Sequence, residues 1–188
     1  MRLPEGVEWA LHCSWLLALA PEDDALPARR LAEFYGLPEA YLAKLLKALV
    51  RAGLLTAASG PRGGFRLARP PEEITVADVV EAIEGRGALF HCMEIRQRGP
   101  VPLTGAAGRK PCGIAQVMHR AERAWRLELA ATTIADLVET SGIGAVTRVN
   151  TWLAMLPGAT GPRLLPTGPA ATGRAATGPA ARETGRKA

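Results

Sequence analysis

Leu31-Ala-Glu-Phe-Tyr-Gly36-Leu-Pro38-Glu-Ala-Tyr-Leu-Ala-Lys44-Leu-Leu-Lys47-Ala-Leu-Val-Arg51, followed by Ala52-Gly-Leu-Leu-Thr-Ala-Ala-Ser-Gly-Pro-Arg62-Gly-Gly64-Phe-Arg-Leu67, is the part of this 188-residue chain from which the fold can be read. A short helix runs from Pro27 to Tyr35 and stops at Gly36, a residue that ends helices because it enters left-handed backbone without strain. Pro38 suits the first turn of a second helix. There Tyr41, Leu42, Leu45, Leu46, Leu49 and Val50 draw one apolar stripe, opposite Glu39, Ala43, Lys44, Lys47 and Arg51. Two helices across a tight turn, the second polar and basic on its outer face, make a helix-turn-helix whose second helix is sized for a major groove. The segments that follow read as strand, glycine-rich turn and strand. A hairpin at this place is a wing, with Arg62 aimed at the minor groove and Gly63 and Gly64 allowing close backbone approach. An ordinary surface hairpin is the plainer reading, and the two preceding helices weigh against it.

Outward from this unit, residues 7–20 lack Gly and Pro and form a mostly buried helix. Thr75 and Asp78 have capping-box spacing for a helix that closes at Gly85. Residues 89–114 hold Cys92 and Cys112 among Gly99, Pro100, Pro102, Gly105 and Gly108, so both thiols are expected on an irregular loop. Between about residues 113 and 138 no Gly or Pro interrupts Ile114, Met118, Ala121, Trp125 and Leu129. The expectation is one unbroken helix roughly 37 Å long, whose spare apolar face packs on a partner. Residues 141–156 are expected to add a last helical turn docking on the body, and the Pro-, Gly-, Ala- and Thr-rich residues 157–188 to be disordered. The fold expected is mainly α with a small β-wing. A DNA-binding winged helix-turn-helix domain would span residues 1–70, a loop and dimerisation helix 71–140, a docking segment 141–156 and a tail 157–188.

Charge agrees with that layout. The formal net charge is +5, but residues 157–188 carry five cations against Glu183 alone. Residues 25–69 carry eight cations against Glu33 and Glu39, a local net charge of +6. A basic field on an otherwise balanced body suits a nucleic-acid partner, and a solvated charged face is the alternative. With 48% hydrophobic and 22% charged residues the chain reads as globular. No apolar run approaches the roughly 20 residues of a membrane span, so a cytoplasmic address without membrane contact is expected. Three unevenly spaced cysteines argue against a disulfide scaffold and leave thiol chemistry, metal ligation or core packing.

Residues 31–44, Leu49-Val-Arg-Ala-Gly-Leu-Leu55, Gly60-Pro-Arg-Gly-Gly-Phe-Arg-Leu67 and Ile74-Thr-Val-Ala-Asp-Val-Val-Glu-Ala-Ile-Glu-Gly85 strongly resemble the Rrf2 family of bacterial winged-helix regulators. The resemblance covers about residues 1–140. It implies a homodimer on a two-fold symmetric DNA operator, with many members sensing through an iron-sulfur cluster. In many such sensors three cysteines lie close together in the loop, whereas this loop has only Cys92 and Cys112. Glu8 and His12 stand four apart on one helix face, with side chains that suit iron; by spacing alone they read as a hydrogen-bonded surface pair. Gly6-Val-Glu-Trp-Ala-Leu-His-Cys13 and Glu94-Ile-Arg-Gln-Arg-Gly-Pro100 resemble the RsrR branch within the IscR and NsrR group. That likeness implies a 2Fe-2S cluster held across the dimer by Cys92, Cys112, Glu8 and His12. Such a ligand set carries one negative charge fewer than four thiolates, which favours a redox switch.

Around this set, Cys13 reads as a small core residue, His91 as a weaker substitute for His12, His119 as exposed and Trp9 as core packing. The expected DNA contacts are Arg29, Tyr41, Lys44, Lys47, Arg62 and Gly63. The rival reading is a cluster-free winged-helix repressor that responds to a small molecule or thiol oxidation. A cysteine enzyme is disfavoured because nothing in the sequence positions a substrate pocket or oxyanion site.

Overall fold

A computed structural model describes residues 3–60 and 63–156. Arg62 and the tail, residues 157–188, lie outside them. The order is α1 (Glu5–Leu19), α2 (Ala28–Tyr35), α3 (Glu39–Arg51), β1 (Leu55–Ala58), β2 (Gly64–Leu67), α4 (Val76–Glu84), α5 (Gly105–Arg109), α6 (Gly113–Ala131), α7 (Ile134–Thr140) and α8 (Ile143–Ala154). The expected class, mainly helical with a two-stranded wing, is what the chain adopts.

Helix α1 is the central post. Its last two turns bury Leu16, Leu17, Ala18 and Leu19, because α3, α4, α7, α8 and β2 all pack against it. Its one buried polar side chain, Ser14, donates to the Ala10 carbonyl at 2.9 Å. Helix α2 ends as read: Gly36 is left-handed at φ 66°, and the Gly36 and Leu37 N–H groups both close on the Ala32 carbonyl. Helix α3 buries Leu42, Leu45, Leu46 and Leu49 against the core.

In the wing, β1 and β2 pair antiparallel with Leu55 opposite Leu67. The sheet reaches further than the sequence suggested: Leu26 and Phe65 exchange N–H···O bonds of 2.9 and 2.8 Å. Any side chain at Gly64 would strike the Leu26 backbone. The Ala68 N–H also closes on the Leu54 carbonyl at 3.0 Å, so backbone bonds hold the hairpin root on both sides.

Two expectations are corrected. The long helix breaks at Thr132-Thr133, where both residues are extended. Thr133 caps α7 in a capping box with Asp136. The extended pair also bridges Ile74–Val76 through Val76 N–H to the Thr132 carbonyl and Ile134 N–H to the Ile74 carbonyl, both 2.8 Å. A local cap and a backbone bridge outweigh propensity here, and α6 is about 28 Å long rather than 37 Å. Its apolar stripe also divides: Trp125 and Leu129 pack on Val7, Val76 and Val80, while Ile114 and Leu127 are each 70% exposed. The second correction concerns residues 141–156, which form the full twelve-residue helix α8 rather than a last turn. Val149 and Leu153 enter the core, and Trp152 lies against Phe34 with ring centroids 4.8 Å apart.

Candidate functional site

The outward face of α3 carries Tyr41, Lys44, Lys47 and Arg51, all exposed. No ion pair engages Lys44, Lys47 or Arg51 among the described residues, so their charge is free for a phosphate. Arg29 is also exposed, yet its Nε pairs with Glu33 at 2.9 Å, and Arg30 reaches the same carboxylate at 3.0 Å. The two guanidiniums hold the Glu33 carboxyl below the usual carboxylate range. Gly63 is buried, and a side chain there would collide with the Ala58 carbonyl. Glycine is therefore needed to close the wing turn, a reason internal to the protein. Tyr41 is 44% exposed and its ring meets the Trp9 indole edge-on. Trp9 thus packs as read, and it packs on the second helix of the helix-turn-helix.

The cysteine loop is folded upon itself by Arg96. Its Nε pairs with Glu94 Oε2 at 2.8 Å, while Nη2 donates to the Gly108 and Lys110 carbonyls. Gln97 Nε2 adds a 2.9 Å bond to the Gly108 carbonyl. Glu94, in left-handed backbone at φ 47°, turns its carboxylate toward Cys92, whose thiol donates to Oε1 at 3.6 Å. These bonds carry the segment after Cys92 back over the segment before Cys112, twenty positions away. Cys92 stands near enough to Cys112 to help stabilise its thiolate.

Cys112 is the N-cap of α6. The Ala115 and Ile114 backbone N–H groups at the start of α6 hold the Cys112 thiol below its ordinary pKa, helped by Cys92 and the Arg96 guanidinium. Glu94 and Arg96 were missed as site residues. Their signal was positional, two and four residues after Cys92 in a turn-forming stretch.

The segment just before Cys92 is held to α6 by a second network. Glu122 accepts the Leu89 N–H at 3.1 Å, and Arg126 binds Glu122 at 3.1 Å, Glu81 at 3.3 Å and the Gly87 carbonyl at 2.7 Å. The Leu89 N–H, aided by Arg126, lowers the Glu122 pKa. His119 stands 4.0 Å from Glu122 and edge-on to Phe90, and His91 is exposed. Cys13 is fully buried, and burial pushes its thiol up to about 12, as suits a packing residue.

Glu8 and His12 are both exposed on α1. They line a cleft of about 740 Å³ between α1, α2, α7 and α8, and neither cysteine lines it. His12 leans on Tyr35, whose hydroxyl donates to the His12 carbonyl at 2.8 Å. Among the described residues no group of three or more His, Cys, Asp or Glu side chains gathers at metal-binding range. A 2Fe-2S cluster takes four protein ligands. Cys92 and Cys112 would supply half of that requirement, and the Cys112 thiol is already lowered toward its thiolate.

The comparisons place this architecture. Residues 3–140 match the Rrf2 family model, described as "Iron-dependent Transcriptional regulator". The Bacillus subtilis putative HTH-type transcriptional regulator YwgB is 31% identical over 125 residues, 66% of this chain and 76% of its own. In fold, the chain is similar to CymR of B. subtilis, with a TM-score of 0.62 and 22% identity over 76% of this chain and 99% of that one. It is likewise similar to T. potens IscR, with a TM-score of 0.58 and 22% identity over 77% and 90%. With its winged helix-turn-helix architecture and a match running through α7, the chain belongs to the Rrf2 family of transcriptional regulators.

Proposed function

We propose that this regulator binds a DNA operator as a homodimer and senses redox state through a 2Fe-2S cluster held by Cys92 and Cys112 of one subunit and Glu8 and His12 of the other. The folding of the loop by Arg96 and Gln97, which brings the segment after Cys92 back to the segment before Cys112, is the observation that carries the reading. Four cations against Glu94 make residues 89–114 basic, and that charge suits the exposed Glu5 and Glu8 of a partner's α1. Ile114, Val117, Met118 and Leu127 leave α6 with exposed apolar area that a second copy would cover.

When bound, a cluster supplies a one-electron couple, and a site with fewer thiolates accepts that electron more readily. The chain's own residues do the rest. Cys112 and Cys92 present sulfur, Glu8 and His12 present oxygen and nitrogen, and a shift between subunits alters the spacing of the two α3 helices on DNA. Lys44, Lys47, Arg51 and Arg62 are assigned to phosphates, Tyr41 to base edges and Arg29 to a lesser contact with the DNA backbone, while Gly63, buried in the wing turn, shapes the hairpin.

The experiment is the absorption spectrum of anaerobically purified protein beside Glu8→Gln, His12→Ala, Cys92→Ser and Cys112→Ser. A visible iron-sulfur spectrum lost or shifted in all four supports the reading. A parent that stays colourless after anaerobic iron-sulfur reconstitution rejects it and favours a cluster-free repressor, for which the Cys92 and Cys112 thiols would form the sensor.

A further inference from the structure

We propose that the aromatic end of the cleft between α1, α2, α7 and α8 binds a small aromatic carboxylate. The cleft's volume of about 740 Å³ falls in the usual span of small-molecule sites. Its ends differ in chemistry. Glu5 and Glu8, on the first turn of α1, mark one end; Trp15, Phe34, Tyr35 and Arg148 mark the other. Glu5 and Trp15 are separated along the helix by roughly 15 Å. His12 stands between them, its ring centroid 5.5 Å from that of Tyr35, so an occupant of the aromatic end would border that residue.

The wall that makes the second end is α8, which begins at Ile143, beyond the stretch matched to the family at residues 3–140. From it Arg148 lays its guanidinium over the Phe34 ring, 4.5 Å from the centroid, with a long 3.4 Å bond to the Phe34 carbonyl. No carboxylate pairs with Arg148 among the described residues. A guanidinium parked on an aromatic face keeps its outer N–H groups for a planar acceptor, and a carboxylate satisfies two at once. The ring of such a ligand would lie among Trp15, Phe34 and Tyr35, with Leu137 and Val149 completing an apolar bed.

Charge separates this occupant from a second copy of the chain. The partner's loop is basic and suits the Glu5 and Glu8 end, whereas Arg148 repels it and attracts an anion. Phe34 and Tyr35 belong to α2, so an occupant would press directly on the helix-turn-helix.

The test is isothermal titration of 2-naphthoate into the 188-residue chain, with uncharged 2-naphthylmethanol as the control. Saturable binding at one site per chain is expected, weakened roughly tenfold or more by Arg148→Gln and by loss of the carboxylate, and abolished when Ala145→Trp fills the cleft. No saturable heat, or affinity unchanged in both variants, overturns the proposal. An Ala145→Trp chain whose oligomeric state shifts while 2-naphthoate shows no binding to the parent assigns the cleft to an interface between copies instead. Because this titration reads neither operator nor cluster, it can fail while the functional reading above stands, and the reverse.

Discussion

The Trp9 indole meets the Tyr41 ring edge-on, with centroids 5.3 Å apart and planes at 90°. Trp9 lies between Glu8 and His12 on α1, and Tyr41 stands on the outer face of α3. One aromatic contact therefore joins the helix assigned to sensing with the helix assigned to DNA. Such pairs contribute about 0.5–1.5 kcal/mol beyond their buried area. Trp9→Leu is expected to keep the cluster spectrum and to narrow the difference in operator affinity between oxidised and reduced protein. Fluorescence anisotropy on both redox forms checks this, and an undiminished difference would mean that the contact carries no signal.

Lys44→Ala and Lys47→Ala should each weaken operator binding and reduce the salt slope by about 1, as expected for a lost phosphate contact. Arg29→Ala should do less, because its guanidinium is already engaged with Glu33 at 2.9 Å. Binding isotherms across a salt series separate the three. An Arg29 effect larger than that of either lysine would place the phosphate track over α2 instead.

The cysteines should differ in reactivity in the cluster-free protein. The Ala115 and Ile114 N–H groups favour the Cys112 thiolate, so its alkylation should persist at pH values below the ordinary thiol range, where an unperturbed cysteine is protonated. Cys13, buried and pushed up to about 12, should be labelled only after unfolding. Mass spectrometry of iodoacetamide-treated protein between pH 6 and 9, a range set around the ordinary thiol pKa of about 8.5, reads all three sites. Equal rates for Cys112 and Cys92 throughout would remove the assigned role of the α6 N-terminus.

Thr133→Ala deletes the cap of α7 and should cost about 1 kcal/mol, read as a lower urea midpoint with an unchanged slope. A loss within error would show that the bridge to Ile74–Val76 alone sets the break.

The winged helix-turn-helix was legible because its determinants are local. Gly36 ends α2, Pro38 precedes α3, and the Leu42, Leu45, Leu46 and Leu49 stripe names the buried face. The break at Thr132-Thr133 was legible in principle from Thr133 and Asp136, the same spacing that marks Thr75 and Asp78, but absence of Gly and Pro drew attention away from it. The folding of the cysteine loop was not legible, since it depends on Arg96 reaching carbonyls twelve and fourteen residues downstream. The register of α8 also escaped reading: Val149 and Leu153 are core residues, but Phe34, which receives Arg148 and Trp152, lies over a hundred positions earlier.

The central claim is that one site draws on two subunits. Its most direct measurement is the absorption of a co-expressed pair, one chain carrying Cys92→Ser and Cys112→Ser, the other Glu8→Gln and His12→Ala. Each variant alone should be colourless. If the sulfurs and the Glu8 and His12 pair come from opposite subunits, the mixed dimer contains one complete set and the iron-sulfur spectrum returns. Colour in the parent with none in the mixed dimer would contradict the account, because it would place all the ligands within a single chain.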